Sequence, residues 1–295
     1  MTRLRADALL LLVAVIWGTA FVFQKVGNAA MPPLWFVAVR FFISALMLAG
    51  PAFLESRRAA MPLSRTSLGI AAAIGLCLGF GACLQQTALV TATATNAGFL
   101  TALYVVLVPW TTWLLTRGPI RRMIVVVSLV AMAGAYLLGA HGELSTWTQG
   151  DTLLIVSDFA WALSISMVAI FMAAANRPYF LAFVQFTITA FIALGAALVV
   201  EGPVVSGIGA ALPALLYTAV ISGGIAYTLQ LMAQRHTPAP EAALIMSLES
   251  LFAAIAGALW LGERLTVLAA LGCALILLAV VAVEVGPALL RGRAR

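Results

Sequence analysis

Apolar residues run along this chain in ten long stretches, near residues 7–29, 33–54, 66–90, 93–115, 120–140, 150–173, 179–200, 211–233, 239–260 and 266–286. Each is close to the roughly 20 residues that a helix needs to cross a hydrocarbon core about 30 Å thick. Polar and charged residues gather between them. The stretches are continuous, which predicts helices; barrel strands would alternate over about ten residues. Pro33, Pro119, Pro178 and Pro238 stand at the starts of four stretches, where a missing N–H costs nothing. The pattern predicts an all-α polytopic membrane protein with ten transmembrane helices.

Composition narrows the class. The 295 residues are 64% hydrophobic and 9% charged, against about 45–50% and about 25% in soluble domains. A cytosolic enzyme, a disordered chain and a secreted disulfide scaffold are excluded, and no length remains for a soluble domain. The three cysteines, Cys77, Cys83 and Cys273, all lie in apolar stretches and read as small core residues.

The net charge of +6 comes from 15 Arg and one Lys, scattered in small clusters without the density of a nucleic-acid patch. They set orientation instead. With the N-terminus inside, Arg3, Arg5, Arg57, Arg58, Arg65, Arg117, Arg121, Arg122, Arg177, Arg235, Arg291, Arg293 and Arg295 fall on the inner side, and Arg264 alone on the outer. By the positive-inside rule both termini are expected in the cytoplasm. A signal peptide competes for residues 1–29, but the apolar run is too long and its pattern recurs later.

That recurrence is an internal repeat. At a shift of 145, Leu84-Gln85 falls on Leu229-Gln230, Ala97 on Ala242 and Leu103 on Leu248; at 144, Trp17-Gly18 falls on Trp161-Ala162. The predicted units are residues 1–145 and 146–295. Five spans per unit is odd, so the second enters the membrane from the opposite side. Inverted repeats that rock about a midplane site are characteristic of secondary transporters.

Ser247-Leu248-Glu249-Ser250, then Leu261-Gly262-Glu263-Arg264-Leu265 and Leu271-Gly272-Cys273-Ala274-Leu275, together with Trp17-Gly18, Arg40 and Gly150-Asp151, resemble the EamA branch of the drug/metabolite transporter superfamily. Ser250 stands where that family usually has Pro. Within the superfamily the chain looks most like the bacterial aromatic amino acid exporters. The resemblance implies export of amino acids or related metabolites by alternating access, from a bacterial inner membrane. It also implies a central cavity built by the first four helices of each half, with the fifth and tenth peripheral. A proton-coupled exporter of hydrophobic cationic drugs, with Glu249 exchanging proton for cation, is the alternative, and a channel is the alternative of another class. The expected partners are a small-molecule substrate and the bilayer, with a monomer sufficient.

Ionisable groups within lipid are functional candidates because each costs about 2.5–3.5 kcal/mol on insertion scales. Lys25, Arg40 and Asp158 are expected at similar depth in the outer half. They would form a charge cluster that binds substrate or closes a gate, or a structural ion pair. Their repeat counterparts are Ala169, Gln185 and Ala14, so the two gates are expected to differ chemically. Glu249 is expected near the midplane, opposite Tyr104 in the repeat, as a ligand for ammonium, a proton carrier or a helix–helix hydrogen-bond acceptor. Glu241 reads as interfacial. The predicted cavity lining is Trp17, Phe80, Gln85, Phe99, Tyr104, Trp161, Tyr227, Gln230 and Glu249; Trp17 is notable because Trp favours interfaces. Gly75, Gly79, Gly81, Gly223 and Gly224 are expected at hinges or close helix contacts. No Walker loop, HExxH or Cys/His cluster points to a cofactor or a metal, and no span supplies a His for intramembrane proteolysis.

Overall fold

The computed structural model describes residues 1–59, 61–139, 148–203, 206–263 and 267–292. Arg264, His141, Glu143, Trp147, Arg293 and Arg295, and with them the expected boundary between the halves, lie outside the described residues. Among those described, all regular structure is helical. The elements are α1 (Arg3–Ala30), α2 (Pro33–Arg58), α3 (Arg65–Ala88), α4 (Ala94–Thr101), α5 (Tyr104–Thr116), α6 (Arg122–Gly139), α7 (Gln149–Ala174), α8 (Pro178–Val200), α9 (Ile208–Leu216), a π-helix (Tyr217–Tyr227), α10 (Thr228–Gln234), α11 (Ala239–Met246), α12 (Glu249–Leu261) and α13 (Val267–Gly292).

Eight helical stretches among the described residues are long and apolar enough to span a membrane, counting α4–α5, α9–α10 and α11–α12 as one each. α6 and α13 carry the shorter apolar runs Arg122–Leu137 and Ala270–Ala282 and pack against each other. Helix starts follow local chemistry. Ser64 and Thr93 accept hydrogen bonds from the backbone N–H groups of Ser67 and Asn96, and Thr148 forms a capping box with Asp151. Gly262, at φ 69°, ends α12 in the left-handed conformation that costs glycine little.

The packing repeats between the halves. α2 lies along α8, α3 along α7, and α1 along both α12 and the π-helix. Exchanging the halves maps α2–α8 and α6–α13 onto themselves and α3–α7 onto the contact of the π-helix with α1. The α2–α8 pair carries a reciprocal cap that sequence reading missed. Glu201, following α8, accepts hydrogen bonds from Leu34 N–H (2.9 Å) and Trp35 N–H (3.0 Å) at the start of α2. Glu55, near the end of α2, accepts from Phe180 N–H (2.8 Å) beside Tyr179 N–H at the start of α8. Proline opens both helices, at Pro33 and Pro178. The next free N–H groups and the positive end of the dipole then suit a carboxylate.

Three expected continuous spans are interrupted. The fourth breaks at Ala102-Leu103 and the ninth at Ser247-Leu248, 145 residues apart. Tight i→i−3 hydrogen bonds replace α-helical ones there, from Leu103 to Leu100 and from Leu248 to Ile245. Pro109 follows the first break but its counterpart is Ala254, so proline is not what the two breaks share. In the second, Ser247 and Ser250 donate to the carbonyls of Leu244 (2.7 Å) and Ser247 (2.8 Å). The break is thus present with serine where proline is usual. The eighth span contains the π-helix, whose counterpart in α3 is regular α-helix.

Candidate functional site: a cavity between the halves

Both breaks meet the centre of the bundle. Tyr104 and Glu249 are counterparts in the repeat, each is the first residue of its second half-helix, and both line a central cavity. The positive ends of two half-helices therefore border the same space, an arrangement suited to anionic groups. Further repeat pairs line it, among them Trp17 with Trp161, Gln85 with Gln230, and Arg40 with Gln185. Like faces like in two of these four pairs. The other two are unlike, and they put a guanidinium on the first half and a carboxyl on the second.

Aromatic rings form the wall joining these groups. Trp17 packs on Tyr227 at 4.6 Å between ring centroids, Tyr227 meets Phe186 edge-on at 5.4 Å, and Phe186 meets Phe41 at 5.4 Å. The Arg40 guanidinium lies over Phe41, 4.8 Å from its centroid. This cation–π contact offsets part of the cost of burying the charge. Arg40 forms no ion pair among the described residues. Gly18 fits where α1 crosses the second break, since a Cβ there would meet Phe252, Ala253 and the Glu249 carbonyl.

The π-helix supplies the remaining wall. Two of its carbonyls accept side-chain hydrogen bonds from other helices: Trp17 Nε1–H donates to Ser222 (3.2 Å) and the Ser44 hydroxyl to Ala219 (2.7 Å). A π-helical segment inside an α-helical span is frequently found at a functional site. Gly223 and Gly224 lie in this segment, tight against Ser44 and Met47. Gly75 and Gly79 sit where α3 meets Ile188 and Ile192 of α8, and Gly81 against Trp161.

The polar lining is under-satisfied. Gln24 Oε1, Arg40 Nε, Thr101 Oγ1, Tyr104 Oη, Trp161 Nε1, Gln185 Nε2 and Glu249 Oε1 are buried without hydrogen-bond partners, and all seven residues border the cavity. Buried polar atoms are normally paired, so this concentration makes the cavity the candidate site. The cavity measures about 50 Å³, room for a few water molecules at about 10–15 Å³ each. Side chains must move to admit anything larger.

Polar contacts tie elements together at both ends of the bundle. At the N-terminal end Glu241 accepts from Arg121 (2.8 Å) and Arg3, and Asp7 accepts from Thr237 (2.6 Å) and pairs with Arg3. Glu241 is thus held by two arginines at the bundle end. At the opposite end Lys25 donates to the carbonyls of Leu89 (2.8 Å) and Ala92 (2.7 Å), where its charge complements the C-terminus of α3. Glu263 accepts from the N–H groups of Ala94 and Thr95, both at 3.1 Å, and from the Thr95 hydroxyl.

Several expected site residues lie elsewhere. Lys25, Arg40 and Asp158 do not form one cluster: Lys25 caps α3, Arg40 lies in the cavity wall, and Asp158 is buried beside the cavity without lining it. Similar depth along three helices says nothing about which way each side chain turns. Phe80 is 52% exposed on the outer surface of α3. Phe99 packs against apolar side chains around α4 and α12 rather than lining the cavity. Conversely, Phe21, Gln24, Phe41 and Thr101 line it unannounced. The signal for Thr101 was its position one turn before Tyr104.

A family model described as the EamA-like transporter family matches twice, over residues 4–140 and 148–284. An uncharacterized transporter from Archaeoglobus fulgidus is 35% identical over 96% of this chain and 86% of its own length. The chain belongs to the EamA-like transporter family. A second uncharacterized transporter from the same organism is 26% identical, over 91% of this chain and 93% of its own. A solved crystal structure superposes with a TM-score of 0.73 at 17% identity, covering 95% of this chain and 97% of that one, which shows a shared fold. The protein is accordingly an integral membrane transporter with the two-repeat layout of the EamA-like family.

Proposed function

We propose that this transporter moves zwitterionic amino acids, aromatic ones foremost, by alternating access, and that its direction is export. The observation that carries this reading is the set of unpartnered polar atoms facing an aromatic-walled cavity. Arg40 on one half suits the substrate carboxylate, with the N-terminal ends of α5 and α12 adding favourable potential. Glu249 on the other half suits the ammonium, and the ring wall from Trp17 to Phe41 suits an aromatic side chain. The halves are read as inverted repeats with boundaries near residue 145, giving ten spans with both termini in the cytoplasm of a bacterial inner membrane. A cavity with room for only a few waters disfavours a standing channel.

The second reading, proton-coupled export of hydrophobic cations, is favoured by Glu249, a buried carboxyl with no paired cation among the described residues. Counterflow in liposomes separates the two. Unlabelled phenylalanine or tryptophan inside should drive uptake of the labelled compound. No counterflow with these, alongside exchange of a lipophilic cation, would replace the first reading with the second. A sustained single-channel current would overturn both.

A further inference from the structure

A second cavity, of about 950 Å³, lies at the bundle end where α2 and α7 finish and α3 and α8 begin. That is the size of a ligand pocket. The turn after α2 and the turn before α8 shape it. Arg177 donates to the Met61 carbonyl and so ties the two turns together, and Asn176 beside it takes the left-handed conformation at φ 49°.

The lining is amphiphilic. Arg58 and Arg177 bring guanidinium groups to it, and Ser64 and Ser67 place the positive end of α3 beside it. Arg58 forms no hydrogen bond or ion pair among the described residues, and Arg177 keeps N–H donors beyond the one that Met61 takes. Glu55 also lines the cavity, but its oxygens are turned to the Tyr179 and Phe180 N–H groups that open α8. Leu54 and Met61 add exposed apolar surface to the same space. A free phosphate ion has no use for that surface; an amphiphile does.

The seam of α2 and α8 extends the apolar part. One helical turn beyond Tyr179, Phe183 begins a groove of about 400 Å³ that reaches Leu194 and is walled by residues 35–49 of α2. Phe42, Leu46 and Phe191 stand exposed along it. Its polar groups are satisfied within the protein: Thr187 donates to the Phe183 carbonyl (2.8 Å) and Trp35 Nε1–H to the Gly202 carbonyl (3.1 Å). At 1.5 Å per residue the groove is about 16 Å long, roughly half the hydrocarbon core and so the depth of one leaflet.

The repeat shows that the fold does not require these arginines. The cap made by Glu55 has its counterpart in Glu201 at the other end of α2 and α8. At the shift of 145, however, Arg58 corresponds to Pro203 and Arg177 to Pro32. The cap belongs to both ends and the guanidinium pair to one, the end that the arginine distribution assigns to the cytoplasm. Basic pockets between spanning helices on that side suit anionic lipid head groups.

We propose that the cavity and groove hold one anionic phospholipid of the inner leaflet, its head group against Arg58 and Arg177 and one acyl chain along the α2–α8 seam. The lipid then bridges one helix from each half, next to their reciprocal caps. Its binding can be measured without any cargo.

The test counts lipid bound to the purified protein in detergent by native mass spectrometry, with dioleoyl phosphatidylglycerol against dioleoyl phosphatidylcholine. At roughly fivefold per arginine, phosphatidylglycerol should be held about 30-fold more tightly. Arg58→Gln should remove about fivefold of that preference at an unchanged unfolding temperature in lipid-free detergent. Adding Arg177→Gln should abolish it; if that variant does not fold because Met61 loses its donor, Arg58→Gln alone decides. Arg122→Gln with Arg235→Gln removes as much charge from the same side outside the cavity and should leave the preference intact. Equal retention of the two lipids overturns the proposal, and so does an equal loss in the two double variants, which would mean attraction to a basic surface. Ala49→Phe fills the groove and should lower retention of phosphatidylglycerol, whereas unchanged retention overturns the acyl-chain site. Phosphatidylglycerol should raise the unfolding temperature of wild type and millimolar inorganic phosphate should not; an equal rise with phosphate would make this a free-anion site and overturn the lipid.

Discussion

The two halves meet at the cavity with matched shapes and unmatched charges. Trp17 and Trp161, and Gln85 and Gln230, present like groups from each side. Arg40 faces Gln185 across the repeat, and Tyr104 faces Glu249. Duplication thus supplies a symmetric container, while single substitutions within it give the contents a direction. The same contrast appears along the eighth span. The first half keeps α3 regular, and the second converts its counterpart into a π-helix whose carbonyls are taken up by Trp17 and Ser44.

The largest expected effect comes from erasing the charge difference. Arg40→Gln makes that pair Gln/Gln and removes a charged donor worth about 1.5–3 kcal/mol. Phenylalanine counterflow should fall roughly 10- to 150-fold with normal expression and unfolding temperature. Gln185→Ala loses a neutral donor and should cost about tenfold or less. Equal losses in the two variants would mean that the halves contribute alike, and loss of folded Arg40→Gln protein would assign Arg40 a structural role.

The bundle ends come next. Glu241→Gln weakens charge-assisted bonds to Arg3 and Arg121, and the partial exposure of both arginines limits the effect to about 1 kcal/mol. Its unfolding temperature in detergent should drop, and high salt should narrow the gap to wild type. Glu263→Gln, at the end held by contacts to backbone, should show a gap less dependent on salt. Identical salt profiles would erase the distinction between the ends.

Trp17→Phe should then cost about 1 kcal/mol of stability by removing the hydrogen bond it donates to the Ser222 carbonyl of the π-helix. Its counterpart Trp161 has an unpartnered Nε1, so Trp161→Phe should cost less stability and more transport. The smallest effect should be the most symmetric. Glu55→Gln and Glu201→Gln each soften one of the reciprocal caps and should lower stability by similar amounts, about 0.3–1 kcal/mol. A loss confined to one of them would show that only one cap contributes.

Helix positions and the pairing of Trp17, Arg40, Gln85 and Tyr104 with their counterparts were legible because apolar periodicity and a fixed repeat shift are properties of the chain. The ends of the spans also carried signals in Pro33, Pro178 and Ser64. Nothing comparable announced Glu55 and Glu201 as caps, since each bonds a helix that is more than a hundred residues away in sequence. Phe80 and Phe41 illustrate the same gap. Both are Phe within apolar spans, yet Phe41 is buried at the cavity and Phe80 faces outward.

Composition and periodicity determined that this chain lies in a membrane as a duplicated set of helices, because the bilayer demands long apolar segments with their backbone bonds made internally. Tertiary structure decided which few polar groups share a space. A span uniformly apolar in sequence carries little information about its rotation. Packing against neighbours fixes that rotation, and with it whether Arg40 meets Phe41 or an acid, and whether Lys25 reaches substrate or the end of a helix.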